Sequence, residues 1–174
     1  QTVDLVSFFV LGHVTEGLVR YDRRGKLVPG IATDWVQKDR TIRFNLRKNA
    51  RWSDGSAVTA HDFVFSWRQM NNPDVASPYA SIMDPIKNAK KIQAGKLPLS
   101  ALGITAVDDF TLKVDLERPC GYCVTVMNHA VFYPIKQTFY EAQGERYGAE
   151  VSNLLYNGPF KLSSSVHDAE MTLI

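Results

Sequence analysis

The chain has 174 residues, and 20 lysines and arginines against 18 aspartates and glutamates give a formal net charge of +2. Its 45% hydrophobic content excludes a disordered chain, which would be poorer in apolar residues and further from neutrality. The small positive charge argues against a nucleic-acid binder that relies on phosphate contacts. The longest apolar runs, such as 5–11, are far shorter than the ~20 residues that span a bilayer. The length by itself predicts about one domain.

The first 50 residues contain one helical and one strand-like pattern. Apolar residues at helical spacing predict a helix within 5–20, with Val14 and Leu18 on one face. The polar segment 21–26 is typical of a turn. Strict alternation of apolar and polar residues over 41–47 predicts a strand. The inward-facing residues of that strand would be Ile42, Phe44 and Leu46.

A helix start follows the turn at 52–55. Thr59 is placed to cap the helix, and Asp62 lies three residues further on, as in a capping box. Phe63, Trp67 and Met70 then fall on one face, and the polar segment 71–74 predicts the helix end. We expect Trp52 and Trp67 to pack in the core.

The second half of the chain mixes helices and strands. The segment 77–79 opens a small helical region, and a basic amphipathic helix is predicted over 86–94, with Gly95 as its cap. The predicted elements after it are a hairpin of 103–107 and 111–116, a helix at 139–147, a turn at 157–162 that leads into a strand, and a last strand at 169–174. Separate helices and alternating strands indicate a mixed α+β or α/β fold.

The only two cysteines, Cys120 and Cys123, form a C-x-x-C motif. Such a pair fits a redox dithiol, half of a zinc site, a local disulfide or two core cysteines. The zinc interpretation lacks a second cysteine pair or a suitably spaced histidine pair. The redox interpretation lacks the flanking βαβ pattern of thioredoxin-like proteins, so we expect a structural role.

No assembled catalytic site is visible in the sequence. The glycine-rich nucleotide-binding motifs, H-E-x-x-H and G-x-S-x-G are absent. The four histidines have no partner at metal-ligand spacing; they are His13, His61, His129 and His167. The sequence therefore predicts no enzyme, no catalytic residues, no metal and no cofactor.

Several segments, in the same order, resemble the oligopeptide-binding proteins of ABC importers, which are extracytoplasmic solute-binding proteins of family 5. The most specific segment runs almost without a gap from Phe44 through Trp52-Ser53-Asp54-Gly55 to Trp67. The others are Glu16-Gly17-Leu18 with 28–32 and Trp35, Ala76-Ser77-Pro78-Tyr79-Ala80, 102–112, and Asn157-Gly158-Pro159-Phe160-Lys161-Leu162. The resemblance covers nearly the whole chain.

This resemblance implies a partial fold of the type II periplasmic-binding-protein kind. Family members are roughly three times as long, so we expect an N-terminal fragment that contains one lobe segment and the small inserted domain. The implied division is 1–16 as part of the first lobe, 17–135 as the inserted α+β domain, and 136–174 as an incomplete return into the first lobe.

The resemblance also implies the ligand and the residues that contact it. Tyr79 matches a family position that faces the peptide cleft, although a packing role at a helix start fits this tyrosine equally well. Leu5 and Ser7 lie in a segment that matches the wall of the cleft in the first lobe. Extracytoplasmic location would allow a disulfide between Cys120 and Cys123, where the family usually has apolar or proline residues.

The implied function is capture of oligopeptides between two lobes and delivery to permease subunits. The protein would lie in the periplasm or on the outer face of the cytoplasmic membrane, as a monomer, with any lipid anchor outside these residues and no nucleic-acid partner. Two alternatives stay open: a disulfide oxidoreductase that uses Cys120 and Cys123, and a stand-alone domain that binds a protein partner.

Overall fold

The computed structural model describes residues 12–148, 151–160, 162–166 and 170–173. Its strands are β1 (Val19–Tyr21), β2 (Leu27–Pro29), β3 (Ala32–Lys38), β4 (Thr41–Leu46), β5 (Ile104–Asp108), β6 (Thr111–Asp115), β7 (Leu162–Val166) and β8 (Glu170–Leu173). Its α-helices are α1 (Ala60–Met70), α2 (Ala89–Gln93), α3 (Cys123–Val126) and α4 (Gln137–Gln143). Short 3₁₀ turns include Ala80–Met83, Ala130–Phe132 and Gly144–Arg146.

An antiparallel sheet in the order β3-β4-β6-β5 forms the centre of the fold. Phe44 of β4 lies between Trp35 of β3 and Leu112 of β6, which aligns apolar side chains across three strands. The β5–β6 hairpin confirms the prediction from 103–107 and 111–116. Two smaller antiparallel pairs, β1–β2 and β7–β8, complete the described strands.

The strand predicted at 41–47 is confirmed as β4. Ile42, Phe44 and Leu46 are buried, whereas Arg43 and Asn45 are exposed, so one face of the sheet points to the core and the other to solvent. The largest fully buried side chains include Trp67, Phe44, Phe63, Leu18, Ile31, Ile42, Met83, Ile86 and Ile92.

Helix α1 covers the inner face and confirms the predicted start and end. Thr59 is the N-cap, and Asp62 completes the capping box by accepting the Thr59 N–H at 2.9 Å. Phe63 and Trp67 are fully buried, and Trp52 is 3% exposed, so both predicted core tryptophans lie in the core. Asn71 caps the other end of the helix through its backbone amide.

The helix predicted within 5–20 is wrong beyond residue 14. Residues 12–14 are helical, but Val19–Tyr21 is strand β1 and pairs with Leu27–Pro29. The carbonyl of Leu18 accepts hydrogen bonds from both Gly30 and Ala32, each at 3.0 Å, so pairing between distant segments replaces helical bonds here. Residues 1–11 lie outside the described part of the chain.

Two other predicted helices are shorter than expected. Lys87 donates its backbone N–H to Asp115 of the sheet, and Asn88 has a φ of 68°, so the helix predicted at 86–94 starts only at Ala89. The helix predicted at 139–147 spans Gln137–Gln143 instead. Gly144, with a φ of 56°, ends it in a left-handed conformation that favours glycine.

Candidate functional site

Tyr79 lies at the start of the 3₁₀ turn Ala80–Met83, with its ring half-buried. Its backbone N–H donates to Ser77 Oγ at 3.3 Å. A partly buried amide network fixes the turn behind it, because Gln93 Nε2 donates to the Ala80 carbonyl at 3.0 Å and to Asn71 Oδ1 at 2.8 Å. The tyrosine packs partly against the hydrophobic core on a turn that these polar contacts hold.

His129 lies beside Tyr79, with the two ring centroids 6.3 Å apart. Its Nδ1 accepts the Val131 N–H at 3.3 Å, which leaves the ring proton on Nε2. Burial lowers the pKa of His129, so the imidazole is neutral at pH 7. A tyrosine hydroxyl and a neutral imidazole N–H are groups suited to the carbonyls and amides of a peptide main chain.

Helix α1 holds the segment that follows His129 through three hydrogen bonds. Trp67 Nε1 donates to the Phe132 carbonyl at 2.9 Å, and Ser66 Oγ donates to the Tyr133 carbonyl at 2.6 Å. The Ile135 N–H donates to the Asp62 carbonyl at 3.3 Å. These bonds fix segment 132–135, which carries the predicted boundary at 135/136, against the core.

The two predicted domain boundaries, at 16/17 and 135/136, lie close together in the structure. A Cβ added at Gly17 would be 2.8 Å from two ring carbons of Tyr133, so the ring packs directly on the glycine backbone. Burial, followed by the charge of Glu16, raises the pKa of Tyr133, which keeps this phenol neutral in the contact.

The turn 52–55 joins the segment after residue 135 to the sheet domain. Ser53 exchanges two hydrogen bonds with Tyr156: its N–H donates to the Tyr156 carbonyl at 2.7 Å, and its Oγ accepts the Tyr156 N–H at 3.2 Å. Lys136 Nζ pairs with Asp54 Oδ2 at 3.0 Å and also donates to Ser56 Oγ. The most specific motif of the sequence thus forms a joint between two parts of the chain.

Two carboxyl groups near Lys136 have pKa values shifted in opposite directions. Slight burial opposes ionisation of Asp54, but hydrogen bonds from Ser56 and Lys136 and the lysine charge outweigh it and lower its pKa to about 2. Burial raises the pKa of Asp62, against hydrogen bonds from Thr59 and Trp52 and the charge of Lys136. The Asp54 carboxylate that pairs with Lys136 therefore stays ionised above a pH of about 2.

Two replacements of Asp62, by alanine and by asparagine, distinguish the effect of its charge from the effect of its hydrogen bonds. Its Oδ2 accepts both the Thr59 N–H and Trp52 Nε1–H, so Asp62→Ala leaves two donors unpaired and is expected to cost about 2–3 kcal/mol. Asp62→Asn keeps an acceptor and should cost less. Because the folded-state pKa is raised, wild-type stability falls as pH rises from 3.8 through that pKa, and Asn should remove this slope.

Urea unfolding of the wild type and both Asp62 variants over pH 3.5–7.5 measures these differences. A pH slope that is unchanged in Asp62→Asn, or equal losses for Ala and Asn at pH 7, would contradict the assignment.

The side chain of Asn157 binds the backbone of Glu16. Its Oδ1 accepts the Glu16 N–H and its Nδ2 donates to the Glu16 carbonyl, both at 3.0 Å. The sequence predicts a turn at 157–162, and the structure adds that the Asn157 side chain pairs with the backbone of residue 16.

Of the residues selected from sequence, the structure describes Tyr79, Cys120 and Cys123, whereas Leu5 and Ser7 lie outside the described residues. A disulfide joins Cys120 to Cys123. A cavity of about 690 Å³ lies at the end of the sheet; none of these residues is among those that line it, which include Lys48, Asp108 and Phe110. Within the described ranges, no group of three His, Cys, Asp or Glu side chains could hold a metal ion, and no helix could cross a membrane.

Residues 26–174 match the family model of bacterial extracellular solute-binding proteins, family 5 Middle. The periplasmic murein peptide-binding protein MppA of Escherichia coli is 36% identical over all of this chain and 33% of its own length. The periplasmic oligopeptide-binding protein OppA of Salmonella typhimurium is 40% identical over 91% of this chain and 30% of its own length.

Solved structures agree with this match. The substrate-binding domain of an oligopeptide ABC transporter from Bacillus anthracis superposes with a TM-score of 0.97 at 38% identity, over 99% of this chain and 34% of that protein. OppA of Haemophilus influenzae, in complex with the peptide RPPGFSPFR, gives a TM-score of 0.95 at 36% identity, over 99% of this chain and 34% of that protein. The chain belongs to the family 5 solute-binding proteins, and it spans about a third of the length of the curated relatives it matches.

Proposed function

We propose that this chain is part of the extracytoplasmic substrate-binding component of an ABC importer, which captures oligopeptides between two lobes and delivers them to permease subunits. The observation that carries the proposal is the similarity, over at least 91% of the chain, to proteins named for binding murein peptides and oligopeptides. The relatives are named as periplasmic, and the same location, outside the cytoplasmic membrane, follows for this chain.

The division into lobes rests on the family resemblance and on contacts near its two boundaries. We assign 1–16 and 136–174 to the first lobe and 17–135 to the inserted domain. The two hydrogen bonds between Asn157 and the backbone of Glu16 support this assignment, because they join 1–16 to 136–174. The Gly17–Tyr133 contact brings the two ends of the inserted domain together. We propose that the protein works as a monomer.

The cleft wall of the inserted domain is formed by Tyr79 and His129. For the first lobe we propose Leu5 and Ser7 as ligand contacts, on the family resemblance alone. Tyr79 and His129 place two aromatic rings beside each other, with centroids 6.3 Å apart, and aromatic surface suits peptides of varied sequence. Binding and release need no covalent step, so the protein is not an enzyme, and nothing in the site favours an oxidoreductase.

Replacement of Tyr79 by alanine tests the cleft assignment. We expect a mixed pool of tri- to pentapeptides to bind about tenfold more weakly, because truncation of an aromatic contact commonly costs more than 1 kcal/mol. The peptide affinity of Tyr79→Phe should fall between those of the wild type and Tyr79→Ala. The measurement is isothermal titration calorimetry on the protein produced from its own gene.

Tyr21→Ala is the matched control, because Tyr21 is another surface tyrosine, 44% exposed, on a different element. If Tyr79→Ala is folded and binds the pool as tightly as Tyr21→Ala, the assignment of Tyr79 is wrong. If the wild type binds no peptide, the proposed function itself is wrong.

A further inference from the structure

The Cys120–Cys123 disulfide closes the connection between β6 and α3. The two residues are 8% and 3% exposed, and both belong to the hydrophobic core, next to Val124 and Met127. Their Cα atoms are 5.5 Å apart. A dithiol that catalyses exchange must present a sulfur to its substrate, so this burial indicates a structural bond.

Hydrogen bonds hold this connection mainly at its start. The Glu117 N–H donates to the Pro85 carbonyl at 2.8 Å, and Glu117 Oε2 accepts the Asn88 N–H at 3.0 Å. Beyond Glu117, Gln37 Nε2 donates to the Cys120 carbonyl at 2.7 Å, and among the described residues no backbone amide of 118–122 donates to another backbone carbonyl. The covalent bond and the burial of the two cysteines therefore supply much of the restraint on this part of segment 117–122.

The same connection forms one wall of a second cavity, of about 490 Å³. Pro119, Cys120 and Tyr122 line this wall, and the opposite wall includes Asp84, Asn88 and Lys91. The shape of the cavity thus depends on the position of a segment that has little backbone hydrogen bonding of its own.

We propose that the Cys120–Cys123 disulfide is a redox-sensitive staple, and that its reduction by a dithiol frees segment 117–122 and opens the wall of this cavity. In the exchange, a thiolate of the dithiol attacks one sulfur and the second thiol resolves the mixed disulfide. The S–S bond gains two electrons and two protons, which gives two cysteine thiols, and the dithiol becomes a disulfide.

Burial controls the rate of this exchange. Attack on a disulfide needs access to a sulfur along the S–S axis, and both sulfurs lie in the core, so the segment must open locally before the dithiol reacts. The curated relatives are named as periplasmic, and the bond would persist in such an oxidising compartment. The staple is independent of the proposed peptide binding, because it does not involve Tyr79 or His129.

Hydrogen exchange with mass spectrometry tests the staple on the protein produced from its own gene, with and without dithiothreitol as the dithiol. We expect the amides of 117–127 to exchange roughly tenfold faster or more after reduction, because loss of the covalent bond lets this connection open locally. Alkylation and mass measurement count the thiols and verify that reduction is complete.

The double variant Cys120→Ala, Cys123→Ala should exchange rapidly in this segment without reductant and should not respond to dithiothreitol. Unchanged exchange of 117–127 in fully reduced wild type would overturn the proposal, and this arm does not depend on folding of the variant. Reduction of the native protein as fast as of the urea-unfolded protein would overturn the role of burial.

Discussion

Trp67→Ala is expected to lower the free energy of unfolding by about 3–5 kcal/mol, the usual cost of truncating a buried tryptophan. Trp67 is fully buried on α1, and its ring meets Phe132 edge-on with centroids 5.0 Å apart. The variant also leaves the Phe132 carbonyl without the Nε1 donor at 2.9 Å. The loss therefore combines a cavity with an unpaired buried acceptor.

Trp67→Phe separates these two contributions, since it keeps a ring and removes the donor. We expect a smaller loss than for alanine, together with weaker protection of the amides around residues 132–135. Urea unfolding followed by circular dichroism gives the free energies. A loss below about 1 kcal/mol for Trp67→Ala would show that α1 does not anchor the segment.

Gly158→Ala is expected to break the close packing of the backbone around residue 158 against residues 13–15. A Cβ at position 158 would be 2.6 Å from the Val14 carbonyl carbon, 2.8 Å from the Thr15 nitrogen and 2.9 Å from the His13 oxygen. These are backbone atoms, so no rotamer change relieves the clash. We expect a loss of about 3 kcal/mol and weaker bonding of Asn157 to Glu16.

Gly121→Ala is the matched control, because a Cβ at position 121 meets nothing within 4 Å. It should unfold at the urea concentration of the wild type, and hydrogen exchange should show faster exchange at residues 13–16 and 156–160 only in Gly158→Ala. Equal stability of the two variants would contradict the close approach of the two segments.

The sequence predicted best the elements whose pattern and contacts are local. Strand β4 follows from alternation, and α1 follows from Thr59, Asp62 and the face of Phe63 and Trp67. Prediction failed where distant pairing overrode a local pattern. Leu18 has helical spacing but accepts hydrogen bonds from residues 30 and 32, and helix α2 starts only at Ala89 because residue 87 pairs with the sheet.

The candidate site could be predicted from the sequence only in part, again because its contacts join distant residues. Tyr79 came from the family resemblance and not from any local pattern. His129 has no partner in its own sequence neighbourhood, and because it lies 50 positions after Tyr79, the sequence does not show that the two rings are neighbours. The hydrogen bond between Lys136 and Asp54 connects residues that are 82 positions apart, and the motif around Asp54 does not predict which residue binds it.

Native mass spectrometry of the protein from its own gene tests peptide capture most directly. We expect each protein molecule to carry one short peptide, so that the preparation shows several added masses. After mild unfolding and refolding, these peptides should be replaced by added tri- to pentapeptides of defined sequence. A refolded protein that takes up none of these peptides, and binds a different class of solute one to one, would contradict the account.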